Sequence, residues 1–230
     1  MQQHDSDVWT AESPLRFLGL EVGARMTVLR LPGSKLMLHS PIAPTPELVR
    51  EVESLGSVAY LVAPNQLHHL FVGDWQQACP EALLYAAPGL DEKRPDLEID
   101  GLLGDEPEAG WAGTVDQVRV DGFPFANETV FYHEPSRTLV ATDIAFNIGP
   151  SSPWLTRAFF KASRAYGRLT PTLVEKLLIR DRAAFRRSLE RILEWPFERV
   201  VIAHGDVSES GGREELVRGY EWLLGSSRSA

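Results

Sequence analysis

Short apolar runs alternate along this chain with turn-rich polar stretches and with segments whose apolar residues recur at helical spacing. Residues 26–31 and 35–40 predict two strands joined by the turn Pro32-Gly33-Ser34. Thr45-Pro46 opens a helix, a hydroxyl cap followed by proline at the first helical position. Leu48, Val49, Val52 and Leu55 form its apolar stripe and Gly56 stops it. A strand over 58–62, a short amphipathic helix over 70–78 and a strand over 82–86 follow, and 91–113 read as loop. Strands are predicted again over 115–120, 128–133 and 138–143, the last two a hairpin around Glu134-Pro135-Ser136-Arg137.

Residues 1–25 read as a frayed end with loop and short strand pieces. Residues 151–195 read as helical. Trp154, Leu155, Ala158, Phe159, Ala162 and Tyr166 share one face there, and Arg157, Lys161, Arg164 and Arg168 another. Thr170-Pro171 is expected to open a second helix and Asp181 to cap a third. A strand over 199–203 and a last helix over about 212–224 close the pattern. The expectation is an α/β protein, one domain over residues 1–230 with a helical insertion at 151–195.

Composition narrows this little: of 230 residues, 43% are hydrophobic and 24% charged, as in ordinary globular proteins. No apolar run approaches the ~18 residues of a membrane span. The polar, acidic start does not resemble a secretory signal. The single cysteine, Cys79, excludes an intrachain disulfide and fits a reducing compartment, so a cytoplasmic protein is expected. The net charge of -9 disfavours nucleic acid as a partner. Yet residues 156–191 hold ten basic side chains against three acids. That excess suits either a solvated helix face or a wall that attracts a small anionic substrate. Oligomeric state is left open by the sequence.

Candidate chemistry gathers where predicted strands end. His68-His69 follow the strand at 58–62, Asp143 ends the hairpin, and His204 follows the strand at 199–203. Imidazoles with one carboxylate are a ligand set for a divalent ion, and ligands on strand ends are held rigidly. Taken singly, each of these residues is an ordinary cap or turn residue, and on spacing alone both readings stand. Glu128 is a fifth ligand, a carboxylate that orients an imidazole, or an exposed strand-start residue. Asn65 either hydrogen-bonds a ligand or holds a turn. Asp206, two residues after His204, and Glu128 are the candidate bases, and Asp143 and Asp206 the candidate catalytic carboxylates. His39 and His133 read as structural. There is no Gly-x-Ser-x-Gly elbow and no phosphate-binding glycine loop.

The order and flanks of these residues resemble the metallo-β-lactamase fold. Residues 131–143 are similar to its hairpin with a terminal aspartate, and Val201-Ile202-Ala203-His204-Gly205-Asp206 is similar to its last site turn. More narrowly, Ala63-Pro64-Asn65-Gln66-Leu67-His68-His69, Pro135-Ser136-Arg137-Thr138-Leu139 and His204-Gly205-Asp206 resemble an uncharacterised branch known as domain of unknown function 4336. The resemblance implies an αββα sandwich and a two-metal ancestor whose first site is lost. Pro64 and Gln66 stand where that site has histidines, and Phe123-Pro124-Phe125-Ala126-Asn127 replaces a turn that carries a third. It further implies that His68, His69, Asp143 and His204 keep the second site.

A metal-dependent, hydrolase-like protein with one divalent ion is therefore expected, zinc first and iron or manganese as alternatives, acting on a small molecule. The opposing expectation is a protein that keeps the fold, has lost catalysis and binds a ligand or partner through Trp154, Phe159, Phe160 and Tyr166.

Overall fold

A computed structural model of the protein describes residues 1–225. The chain starts with β1 (Gln2–Asp5) and β2 (Val8–Ser13). A small hairpin of β3 (Arg16–Phe17) and β4 (Leu20–Glu21) follows, then β5 (Ala24–Leu31) and β6 (Lys35–His39). Helix α1 (Pro46–Glu53) leads to β7 (Ser57–Ala63), α2 (Val72–Ala78) to β8 (Leu83–Ala86), and α3 (Leu90–Lys93) to β9 (Gly101–Leu102). Apart from the hairpin, these strands form a seven-stranded sheet in the order β1-β2-β5-β6-β7-β8-β9. It is antiparallel as far as β6 and parallel from β6 to β9.

The second sheet has four strands, β10 (Val115–Arg119), β11 (Thr129–His133), β12 (Thr138–Ala141) and β13 (Arg199–Ile202), in that order. Between β12 and β13 run α4 (Trp154–Ala162), α5 (Leu173–Leu178) and α6 (Arg182–Ile192). After β13 come α7 (Gly212–Gly219) and α8 (Glu221–Leu224). β12 and β13 are parallel, with Ala141 opposite Ile202.

Alternation along the strands sorts side chains into layers, because successive residues point to opposite faces. Leu29, Met37 and Val62 of the first sheet meet Val115, Phe131 and Val140 of the second in the core between them. On the far side of the first sheet, Val28, Leu38 and Leu61 pack against Val52 of α1 and Trp75 of α2. On the far side of the second, Leu139 and Val200 pack with Phe185 and Leu189 of α6 and Leu216 of α7. Helices therefore cover both outer faces of two stacked sheets, the expected αββα sandwich.

Several local expectations are corrected. Residues 2–13 are not frayed: β1 and β2 extend the first sheet, and Val8 and Trp9 are buried where β2 pairs with β5. Thr170 does not open a helix. It bridges back to Phe146, and the cap falls on Thr172, whose side chain forms a capping box with Glu175. Asp181 caps α6 as expected, accepting from the N–H groups of Ala183 and Ala184. The last helix is broken into α7 and α8. In α4 the predicted apolar face does not point inward: Thr156 and Phe160 are its buried residues, whereas Trp154 is 72% exposed. Among the described residues, no helix is long and apolar enough to cross a membrane.

Candidate metal centre

Strand register brings the site together. Asp143 lies two residues beyond Ala141 and His204 two beyond its partner Ile202, so parallel pairing delivers both to the same sheet end. The first sheet reaches that end through hydrogen bonds to the second: Thr129 N–H donates to Pro64 O at 2.8 Å and Gln66 N–H to Ala126 O at 3.0 Å. His68 follows on that connection. Its Nε2 lies 3.3 Å from Asp143 Oδ2, and His204 Nε2 lies 3.4 Å from Asp143 Oδ1. One ligand atom from each of the three falls within 4.8 Å of the others.

The proton positions show what this cluster needs. Gly23 O, a pure acceptor, is 2.7 Å from His204 Nδ1, so Nδ1 carries a hydrogen and Nε2 is the atom turned to Asp143. Either a proton on Nε2 or a cation between the two satisfies that contact with the carboxylate. Metal-binding imidazoles characteristically donate their other N–H in this way. The two Nε2 atoms face different oxygens of the one carboxylate, as ligands grouped around a single divalent ion would. His68, Asp143 and His204 thus fit one divalent ion, and three protein ligands leave a position open.

Buried neighbours hold each ligand. Asn65 Nδ2 donates to Asp143 Oδ2 at 2.7 Å and to Thr142 Oγ1 at 2.8 Å, while its Oδ1 accepts from the N–H groups of Leu67 and His68. One side chain thereby ties the His68 loop to the Asp143 strand. Glu128 is not an exposed strand start. It is fully buried and accepts from Thr142 N at 2.6 Å and Asp143 N at 2.8 Å, so it supports the aspartate through its backbone. Burial first, and then the Asp143 charge, push its carboxyl up to about 8. Burial alone would raise the Asp143 carboxyl as well, but His68 and His204 hold it far below the usual range, ionised.

His69 is not brought to the cluster. Its Nδ1 accepts from Arg94 Nη1 at 3.0 Å, and arginine can only donate, so in the neutral ring the hydrogen sits on Nε2 and leaves no lone pair for a metal. Burial, Lys93 and Arg94 push its pKa down to about 4, which keeps the ring neutral. Asp206 is also elsewhere: its exposed carboxylate accepts from Ser151 Oγ at 3.1 Å. His133 is buried in its hairpin, with Nδ1 2.6 Å from Ser136 Oγ. Asn147 serves a turn, donating to Asp206 O.

Ser40 and Arg25 carry no signal in the sequence, while Gly205 of the expected site turn gains its reason. Ser40, at φ +53 beyond β6, places its Oγ 2.7 Å from His68 Nδ1. A positive φ on a non-glycine residue is uncommon, but no sequence pattern announces it here. The buried Arg25 donates to Ile202 O and Gly205 O, both at 2.5 Å, and pins the turn after His204. Gly205 itself could have been read from the sequence, as a turn glycine. At φ +96 a Cβ there would meet Asn147 O at 2.2 Å, so the His204 turn closes only with glycine.

The architecture has solved counterparts. A metallo-β-lactamase from Pontibacter korlensis superposes with a TM-score of 0.66 at 14% identity, covering 96% of this chain and 96% of that one. This chain has the metallo-β-lactamase fold. FIM-1 from Pseudomonas aeruginosa, a metallo-β-lactamase in a mono-zinc form, matches with a TM-score of 0.63 at 12% identity over 94% of this chain and 91% of its own. TMB-1 matches with a TM-score of 0.60 at 17% identity over 95% and 94%. Identities this low carry the metallo-β-lactamase fold and not an activity. The family model of domain of unknown function DUF4336 matches residues 5–90, a span that holds Asn65, His68 and His69 but neither Asp143 nor His204. No curated protein matches the sequence.

Above the centre opens a cleft of about 610 Å³ bordered by His68, His69, Asp143 and His204. The expected basic wall is absent from it: Arg157, Lys161, Arg164 and Arg168 do not line it, and α4 contributes Phe159 and Phe160 instead. Glu175, the capping-box acid of α5, also borders the cleft, and burial raises its pKa.

Proposed function

We propose that this protein is a hydrolase working with a single divalent metal, zinc first and iron or manganese otherwise, held by His68, Asp143 and His204. The observation that carries the reading is the convergence of these three side chains, whose ligand atoms lie within 4.8 Å of one another, with His204 Nδ1 held by Gly23 O so that its Nε2 faces Asp143. The mono-zinc form of FIM-1 supports one ion as a workable occupancy of this fold.

When bound, a divalent ion supplies Lewis acidity that polarises a substrate oxygen or lowers the pKa of water to around 7. The chain's own residues do the remaining work. Asn65 and Glu128 keep Asp143 in place, and Ser40 orients His68. His69 borders the cleft as a neutral ring whose Nε2–H can donate to a substrate oxygen. Asp206 is replaced as acid–base group by Glu175. Thr172 N–H and Oγ–H both hold Glu175 Oε2, which leaves Oε1 to face other groups, and burial raises its pKa above the ordinary carboxylate range, as a group that exchanges protons requires.

Metal analysis of protein purified without added metal tests this reading. About one equivalent is expected in the native protein and in His69→Gln, and little in Asp143→Asn and His204→Ala. A native protein that neither retains metal nor takes up added zinc in equilibrium dialysis would leave the non-catalytic, ligand-binding reading in its place.

A further inference from the structure

The metal centre occupies only the floor of its cleft, and the rest of the lining is of a different character. Thirteen large apolar side chains are exposed among the described residues, and six of them, Phe17, Leu18, Leu70, Phe125, Phe159 and Val174, line this one cleft. They come from the β3–β4 hairpin, the approach to α2, the loop before β11, α4 and α5. Five separate parts of the chain thus present apolar side chains to one space. Scattered exposed leucines are ordinary on a protein surface, but convergence on one concavity marks a binding site.

The charges in the cleft say what does not bind. Of its two lining cations, Arg16 pairs with Glu21, and Lys93 Nζ donates to Gln66 O at 2.5 Å. The remaining charged lining groups, Asp143 and Glu175, are acids. An anionic substrate would lie against these acids, with Lys93 as the one lining cation not paired to a carboxylate. A molecule with an uncharged polar head and a long apolar tail is matched at both ends.

We propose, resting on the metal-hydrolase reading for the polar end, that the cleft takes acyl esters with an unbranched hydrocarbon chain, free in solution. The carbonyl lies at the His68–Asp143–His204 centre and the chain runs between Phe17, Phe125 and Phe159. Hydrolysis of such an ester adds water across the acyl–oxygen bond. The water oxygen bonds to the acyl carbon, the alcohol oxygen leaves with one proton, and a fatty acid is released. The volume of about 610 Å³ falls in the range of small-molecule sites, which run from about 300 to 1,000 Å³.

The test is calorimetric binding of uncleavable N-methyl amides of straight-chain acids, from four to ten carbons, to the metal-loaded protein. The dissociation constant should fall about fourfold with each added methylene until the cleft is full. Phe17→Asp and Phe125→Asp should each weaken binding of the ten-carbon amide at least tenfold with metal content unchanged. Both positions are about half exposed, at 52% and 45%, so the fold tolerates the change. A dissociation constant that ignores chain length would overturn the proposal. So would tighter binding of an alkyl phosphate than of the amide of equal length, or binding to phosphatidylcholine vesicles without binding of the monomeric amides. The two readings fail separately. A protein that holds no metal yet shows the chain-length trend sinks only the hydrolase, whereas a metal-loaded protein with a flat trend sinks only the acyl cleft.

Discussion

At the scale of single residues, several buried polar groups gather around the site, and their satisfaction is uneven. Asn65 uses both ends of its amide and Glu128 both carboxylate oxygens, whereas His39 is buried with no partner for Nε2. Its ring packs edge-on against Phe131 at 5.3 Å. Burial first, then His68, push its pKa down to about 3, against about 6.5 in an unfolded chain. Between those values the unfolded state binds the extra proton. The contribution of His39 is therefore intact above about pH 6.5 and is lost as pH falls towards 3. By pH 5 this amounts to about 2 kcal/mol. Urea midpoints of metal-free protein at pH 7 and pH 5 should show the loss. His39→Leu should reduce the difference by about that amount and cost little at pH 7, since it also removes an unsatisfied group.

At the scale of elements, caps and strand ends do the positioning, and helix faces decide what the cleft is made of. Helix α5 begins at a capping box in which Glu175 both closes the helix end and borders the cleft. Glutamine can serve the same cap, so Glu175→Gln separates the two roles. Stability in urea should change by less than about 0.5 kcal/mol, while hydrolysis of a short acyl ester should fall at least tenfold. A matching loss of stability would reduce Glu175 to a cap. Helix α4 shows how an element can mislead. Its apolar periodicity was sound, but a helix of nine residues beside an open cleft can turn an aromatic face to substrate as readily as to a core. The basic residues of the same segment do not line the cleft, and the anionic substrate they suggested loses that support.

At the scale of the whole molecule, the core between the sheets holds the two halves of the site in place. Phe131 is fully buried there, among Val62 and Met37 of the opposing sheet. Phe131→Ala should cost about 3–5 kcal/mol. Read by both circular dichroism and tryptophan fluorescence, unfolding should remain one coincident transition, as we propose for a chain that folds as one domain. Two separated transitions would divide it. Much of this architecture was legible in sequence. Alternation along 58–62, 128–133 and 138–143 reports burial on a pleated strand, and the hydroxyl–proline pair at Thr45-Pro46 reports a helix start, because both depend on neighbours a few residues away. The positions of His68, Asp143 and His204 at strand ends were legible for the same reason. Which imidazole offers a lone pair was not. His68 and His69 are adjacent and chemically identical, and their fates were settled by Ser40 and Arg94, one 28 residues before His68 and the other 25 after His69. Likewise Asp206 went to Ser151 and Glu128 went beneath Asp143 through contacts that no local period encodes. The sequence by itself determined the sandwich and the short set of candidate ligands. Only the tertiary structure decided which of them come together, because side-chain partners are assigned by whatever the rest of the chain places beside them.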